Sequence, residues 1–326
     1  MEKAKLTVVG IDISKAYFDF YFKAPDGKET KGRLSNDKEG FHQFLQMIPS
    51  DAWTVMEASG PYYYQLACFL FEKGIKVAVI NPLVIRRFMQ MQLKRVKTDS
   101  ADAKGISAYG ELMELKPWKP LKESYLKVKQ WYTIRKQQLK HLHATTQQME
   151  AFLAAGKLEK KIRFSLEEEI SHINKKIKMA EEQMNELIEK ENSALKEQLE
   201  SIPGIGPKTS LLLIVALRGF ESFDNYKQVI SYLGLSPRIY ESGSSVKGKS
   251  KICKMGMAEV RKCLYMAARS ARKYNTTCKK LYDRLRAKGK AHRVAMIAVV
   301  NKLLKQAFAL VETGTLYEKN YQPKTT

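Results

Sequence analysis

Cysteine and histidine are scarce in these 326 residues, and neither is grouped. The four cysteines (Cys68, Cys253, Cys263 and Cys278) form no CxxC pair, which excludes a zinc ribbon and offers no disulfide framework. The five histidines are scattered without an HxxxH set, so a nitrogen-ligated metal site is not expected either. No apolar run reaches the roughly 18 residues that a bilayer-spanning helix needs. The opening MEKAKLTVVGIDI passes directly into an Asp-bearing strand pattern, so no secretory leader is expected. Acidic residues are outnumbered: 34 Asp and Glu stand against 57 Lys and Arg, a formal net charge of +23 with a pI near 9.7. The basic excess runs through the chain and is heaviest over residues 247–305. It calls for a polyanionic partner, and nucleic acid fits better than a membrane. The expectation is a soluble, cytoplasmic, nucleoid-associated protein.

Residues 1–118 read as an α/β domain. Residues 6–13 and 16–24 are β-rich runs joined through Ser14–Lys15 as a hairpin, PDG at 25–27 is a turn, and 29–35 is a third strand. Residues 37–48 have helical spacing, followed by a strand at 53–58, a helix at 62–73 and a strand at 76–80. The order βββαβαβα is that of the RNase H-like fold. Four acids stand out in it. Asp12 lies inside the first strand, in VVGID, where a charge is costly unless paired or coordinated. Glu57 ends the fourth strand, in VMEASG, beside the first. Asp99 and Asp102, in RVKTDSADAKGIS, are three residues apart and share a helical face. Like charges that close are kept where a cation lies between them, although acids in a first helical turn also complement the helix dipole. Arg95, Lys97 and Lys104 crowd the same turn and suit an approaching polyanion. Four carboxylates suit Mg²⁺, or Mn²⁺, with room left for waters and phosphates. Asp19, also in a strand, is expected to face solvent.

GIDISK, MEASGPYY, VINP and KTDSADA, in this order and spacing, resemble the DEDD transposases of insertion sequences. These are the Piv-type, bridge-RNA-guided recombinases of the one-ten family, whose first domain resembles the Holliday-junction nuclease RuvC. The resemblance implies a RuvC-like domain in which Asp12, Glu57, Asp99 and Asp102 take the four metal-ligand positions.

Residues 119–196 read as a helical spacer. Residues 123–155 form one long helix, and Leu166, Ile170, Ile173, Ile177, Ala180, Met184 and Leu187 make an a/d seam in a second. The seam either folds back on the first helix or pairs with another protomer; the resemblance implies a dimerising coiled coil.

Residues 197–326 read as a mainly helical domain. LESIPGIGPKTS at 199–210 has the form of a helix–hairpin–helix, in which Gly204, Gly206 and Lys208 would meet a phosphate, or of a structural αα-turn. The Gly-, Ser- and Lys-rich stretch 234–256 lacks a packing pattern and reads as a loop, disordered or functional. Arg238, Lys247, Lys249 and Lys251 surround Ser242, which by its residues alone is a phosphate contact or a nucleophile. YESGSSVKG resembles the second-domain motif of the same transposases, and this implies Ser242 as a nucleophile forming a 5′-phosphoserine; Ser244 and Ser245 are weaker candidates and Tyr240 the competing one. Residues 257–273 and 291–312 are helical with basic faces, and Arg261, Arg269, Arg272 and Lys273 would touch phosphates. The whole then implies an RNA-guided DNA transposase or recombinase acting on target and donor DNA with a structured non-coding RNA, as a dimer or dimer of dimers. Cleft and serine fall in different domains, so Ser242 would reach the cleft either from the same protomer or, in a composite site, from a partner protomer. A hydrolytic junction nuclease using the acids alone, or a non-catalytic nucleic-acid-binding protein, are the rival readings.

Overall fold

A computed structural model describes residues 7–92, 99–238, 241–242, 246–247 and 251–319. Strands β1 (Val8–Ile13), β2 (Tyr17–Lys23) and β3 (Glu29–Ser35) form an antiparallel meander, followed by helix α1 (Lys38–Met47). Strand β4 (Trp53–Glu57), helix α2 (Tyr63–Glu72), strand β5 (Lys76–Ile80) and helices α3 (Pro82–Met91) and α4 (Asp99–Leu112) complete the first half. The sheet order is β3-β2-β1-β4-β5, with β4 parallel to both β1 and β5. That is the RNase H-like arrangement expected from the order of elements.

Both faces of this sheet are covered, and the period of two sorts the side chains between them. Val9, Ile11 and Ile13 of β1 join Phe18, Phe20, Phe44, Leu66 and Leu70 in one buried cluster. Val8 and Val55 face the other way, into a cluster with Ala78, Ile85 and Ile106. Local signals set the helix starts: the Asp37 carboxylate accepts from the Gly40 amide at 2.9 Å, and Asn81 caps α3 by accepting from the Leu83 amide at 2.9 Å, with Pro82 at the first helical position.

The remaining elements are the long helices α5 (Glu123–Ala154) and α6 (Lys160–Glu200), then α7 (Pro207–Leu217) and α8 (Tyr226–Tyr232). Four two-residue strands follow, β6 (Pro237–Arg238), β7 (Glu241–Ser242), β8 (Val246–Lys247) and β9 (Lys251–Ile252). Helices α9 (Ala258–Tyr274), α10 (Thr276–Ala287) and α11 (His292–Thr313) end the chain. α5 and α6 pack as an antiparallel hairpin within one chain, since Tyr125 reaches Asn192 and Arg135 reaches Glu181. Ile173, Ala180 and Met184 of the heptad seam are buried there. The base of the hairpin continues into one core with α7, α9 and α11.

The chain therefore divides into two compact units, Met1–Leu121 and Lys122–Thr326. The expected boundary after residue 118 lies close by, because the Trp118 amide still donates to the Val77 carbonyl at 2.7 Å. The expected boundary between 196 and 197 falls inside α6. Sequence reading found no apolar run of spanning length; among the described residues α11 is the one helix long and apolar enough, with a mean hydropathy of 1.7. Its Met296, Val299, Val300, Leu303 and Leu304 are core residues of the second unit, which is what makes it apolar.

Candidate active site

The cleft of the first unit forms where strands β1 and β4 end. Ile11 pairs with Met56, so the next residues, Asp12 and Glu57, emerge side by side on the face that carries Val8 and Val55. α4 crosses that face. Ala103 is fully buried, the Ser107 hydroxyl donates to the Val8 carbonyl at 2.8 Å, and Gly10 leaves room for the helix: a Cβ there would lie 2.9 Å from the Ser107 Cα and closer still to the Ala103 carbonyl oxygen. This approach brings Asp102, in the first turn of α4, to the same cleft. Asp12, Glu57 and Asp102 line it together with Arg86, Met89 and Gln90 of α3, and its volume is about 760 Å³. Asp99 begins α4, but its side chain lies outside the described residues, as do Arg95 and Lys97.

Among the described residues no three His, Cys, Asp or Glu side chains form a ready-made cage for a metal ion. The donor set still fits Mg²⁺, which is commonly held by one or two carboxylates together with waters and substrate phosphates rather than by an all-protein cage. Arg86 adds an exposed cation to this acidic wall. The sequence reading missed it, and the only signal was its place one turn after the Asn81–Pro82 helix start.

Two expectations need correction here. Asp19 is not solvent-facing: it is 7% exposed and takes a side-on pair from Arg33, with Nη2 to Oδ2 at 2.9 Å and Nε to Oδ1 at 3.2 Å. It stands directly across the ladder from Asp12, where an uncompensated second carboxylate would be repelled. The Arg33 guanidinium, lying 3.9 Å over the Tyr17 ring, supplies that compensation. Lys104, expected to meet a polyanion, is instead paired with Glu29 at 3.0 Å and lies 4.8 Å over the Tyr21 ring. The hydrogen bond to Glu29 raises its pKa.

In the second unit the expected hairpin is present as α6, a tight turn and α7, but its two glycines do different work. Gly204 has φ +111°, and a Cβ on it would stand 2.6 Å from the Ala271 Cβ, so its bareness serves packing against α9. Gly206 has open space around it and precedes Pro207 at the α7 N-terminus. Lys208 is exposed, 3.7 Å from Glu181. Arg261 donates to the Leu233 carbonyl at 3.0 Å.

The stretch expected to be an unpatterned loop contains short ladders. Arg238 pairs with Lys251 and Ser242 with Val246. Its ends are pinned by Gly234 and Gly256, both at positive φ, whose missing side chains let them sit against the Met255 and Tyr232 carbonyls. Arg238 and Lys251 are exposed and Lys247 is in β8. The Ser242 side chain, Tyr240, Ser244, Ser245 and Lys249 lie outside the described residues.

Two family models match the chain, the first running past the boundary at Leu121 into the second unit. A transposase family model, that of the DEDD domain of the IS110 group, matches residues 9–157, and the model described as "Transposase IS116/IS110/IS902 family" matches residues 196–283. The chain is 29% identical over 323 residues to the pilin gene-inverting protein of Moraxella bovis, covering 96% of this chain and 98% of that one. It is 22% identical to the transposase for insertion sequence element IS1328 of Yersinia enterocolitica, covering 96% and 99%. Among solved structures, RuvC of Thermus thermophilus in complex with a Holliday junction matches 35% of this chain and all of its own, at 12% identity and a TM-score of 0.25. The chain thus carries, in order along its length, the two transposase domains of the IS110 group.

Proposed function

We propose that the chain is a site-specific DNA transposase or recombinase guided by a structured RNA, cutting strands through a 5′-phosphoserine on Ser242. The observation that carries the reading is the convergence of Asp12, Glu57 and Asp102, from three separate elements, on one cleft. With Asp99, these residues would hold Mg²⁺. The ion, when bound, supplies charge neutralisation at the scissile phosphate. The buried contact of α4 on β1 fixes the spacing of the carboxylates, and Arg86 offers a positive group to a phosphate oxygen in the same cleft. Ser242 Oγ attacks phosphorus, the bond to the 3′-oxygen breaks, and the serine proton ends on the released 3′-hydroxyl. Reversal by another 3′-hydroxyl rejoins strands with no loss of bond energy. The guide RNA is recognised by shape and backbone, with its own base pairing choosing the DNA. The basic surface of +23 net charge supports both nucleic-acid partners.

The test is a covalent-adduct trap. Wild type, Ser242→Ala and Asp102→Asn are incubated with Mg²⁺, transcripts of the element's non-coding flank and matched DNA, then resolved under denaturing conditions. An adduct in wild type alone is expected. Cleavage without an adduct, equal in wild type and Ser242→Ala, would make the chain a hydrolytic nuclease and remove the serine from the mechanism.

A further inference from the structure

The outward face of α9 borders a cavity that the proposed chemistry does not use. Val260, Leu264, Ala267, Ala268 and Ala271 turn the inner face of α9 into the core. Tyr265, Arg269, Arg272 and Lys273, spaced i, i+4, i+7 and i+8, therefore share the other side. With Tyr274 and with His292 from the first turn of α11, they line a cavity of about 660 Å³ whose wall contains no carboxylate. Among the described residues none of the three cations enters an ion pair. Arg272 is steadied from behind: its guanidinium lies 4.9 Å from the Tyr282 ring, and the Tyr282 hydroxyl is 2.7 Å from His292 Nδ1. Tyr274, 70% exposed, and Met266, 57% exposed, hold apolar surface in water beside these cations.

Cations alone would suit the backbone of a duplex, whose bases are stacked away inside. A concavity that joins cations to open aromatic faces suits a base that has left its stack. We propose that this cavity binds an unpaired nucleotide of a nucleic-acid strand, its base stacked on Tyr274 and its phosphate held by Arg269, Arg272 and Lys273. The proposal rests on the nucleic-acid reading above and assigns this face to single strands.

The test uses the full chain without divalent metal, so that strand cleavage does not enter. Wild type, Tyr274→Ala, Tyr274→Phe and the double variant Arg269→Ala/Arg272→Ala are titrated by fluorescence anisotropy with labelled oligothymidylate, oligouridylate and a duplex of equal length. Tyr274→Ala is expected to weaken single-strand binding by about tenfold, the loss of one base stack. Its duplex binding stays within about twofold, since no phosphate contact is removed. Tyr274→Phe retains the ring and the affinity. The double variant loses affinity and reduces the salt dependence. A larger loss on the uridylate than on the thymidylate, or the reverse, supports the proposal and names the strand. Equal losses on duplex and single strand, an unchanged Tyr274→Ala, or displacement by polyglutamate as readily as by thymidylate of equal charge would overturn it. Tyr274 is exposed, and an unchanged melting curve excludes unfolding as a cause. Failure of the serine adduct test leaves this binding result intact, and failure here leaves the acidic cleft intact.

Discussion

Gly10→Ala tests the claim that α4 is held at a fixed, unusually close distance from β1. A Cβ at residue 10 would lie 2.9 Å from the Ser107 Cα, and nearer still to two backbone atoms of α4, against an ordinary carbon contact of about 3.5 Å or more. The obstruction is backbone on a helix, not the end of a flexible side chain, so α4 must withdraw by about 1 Å. Overpacking of this kind costs about 1–3 kcal/mol, and the reduced entropy of the unfolded alanine chain returns at most about 1 kcal/mol. Asp12 is two residues from Gly10, and Asp102 precedes the buried Ala103. A 1 Å shift in their separation is expected to lower strand cleavage by about a hundredfold. Urea denaturation should show a lower midpoint with an unchanged slope, and single-turnover cleavage should fall by that factor. Gly110→Ala is the comparison: its Cβ would meet side chains, the Val8 and Val55 methyl groups at 2.6 and 2.9 Å and the Leu115 Cδ1 at 3.6 Å. No backbone atom stands among these contacts, whereas at Gly10 two helix backbone atoms lie closer still, so its effect is smaller. A Gly10→Ala protein with wild-type stability and cleavage, or a larger effect from Gly110→Ala, would refute the close-approach argument.

The sheet was legible because its signals are local. The PDG turn, the Asp37 cap and the Asn81–Pro82 helix start each occur within a few residues of the boundary they set. The face shared by Asp12 and Glu57 followed from strand period once β1 and β4 were taken as neighbours. What escaped depended on residues distant in sequence. Asp19 reads as outward from its own strand, yet both faces of β2 are covered and its partner Arg33 arrives on the next strand. The role of Gly10 needs α4, which crosses it from about a hundred residues later, although a glycine inside a strand is itself a sign of close approach. Two-residue strands have no period to read, so the ladders around Ser242 were invisible. α10, whose one buried residue is Cys278 with Tyr282 packed part-buried against the core, offers little apolar stripe. The residues around Ser242 gave no chemical ground for preferring a nucleophile over a phosphate contact; that choice came from the resemblance of YESGSSVKG.

Two further predictions concern the second unit. Burial pushes the Cys278 thiol up to about 11, so at about pH 8 it stays protonated and inert. Titration with a disulfide reagent should modify the half-buried Cys253 and Cys263 first and reach Cys278 only on unfolding; rapid native reaction of Cys278 would contradict the packing of α10 on the core. The other concerns Arg135, which is 2% exposed and joins three helices. Its Nε donates to Glu181 of α6 at 2.7 Å, its Nη1 to Glu259 of α9, and the Tyr132 hydroxyl donates to the second oxygen of Glu259 at 2.9 Å. Arg135→Ala leaves Glu181 with Lys208 and Glu259 with Tyr132 around a vacated buried site, and the expected loss is about 3 kcal/mol, the low end for a broken buried pair. Arg135→Lys recovers only part of it, because one ammonium lacks the forked donors that serve two partners. Arg135→Met keeps an apolar stem but no donors, and is expected to stay close to the alanine protein; urea midpoints measure all three. Full recovery in Arg135→Met would mean that Arg135 acts through its packed carbon stem, and that the charge network is incidental to holding α5, α6 and α9 together.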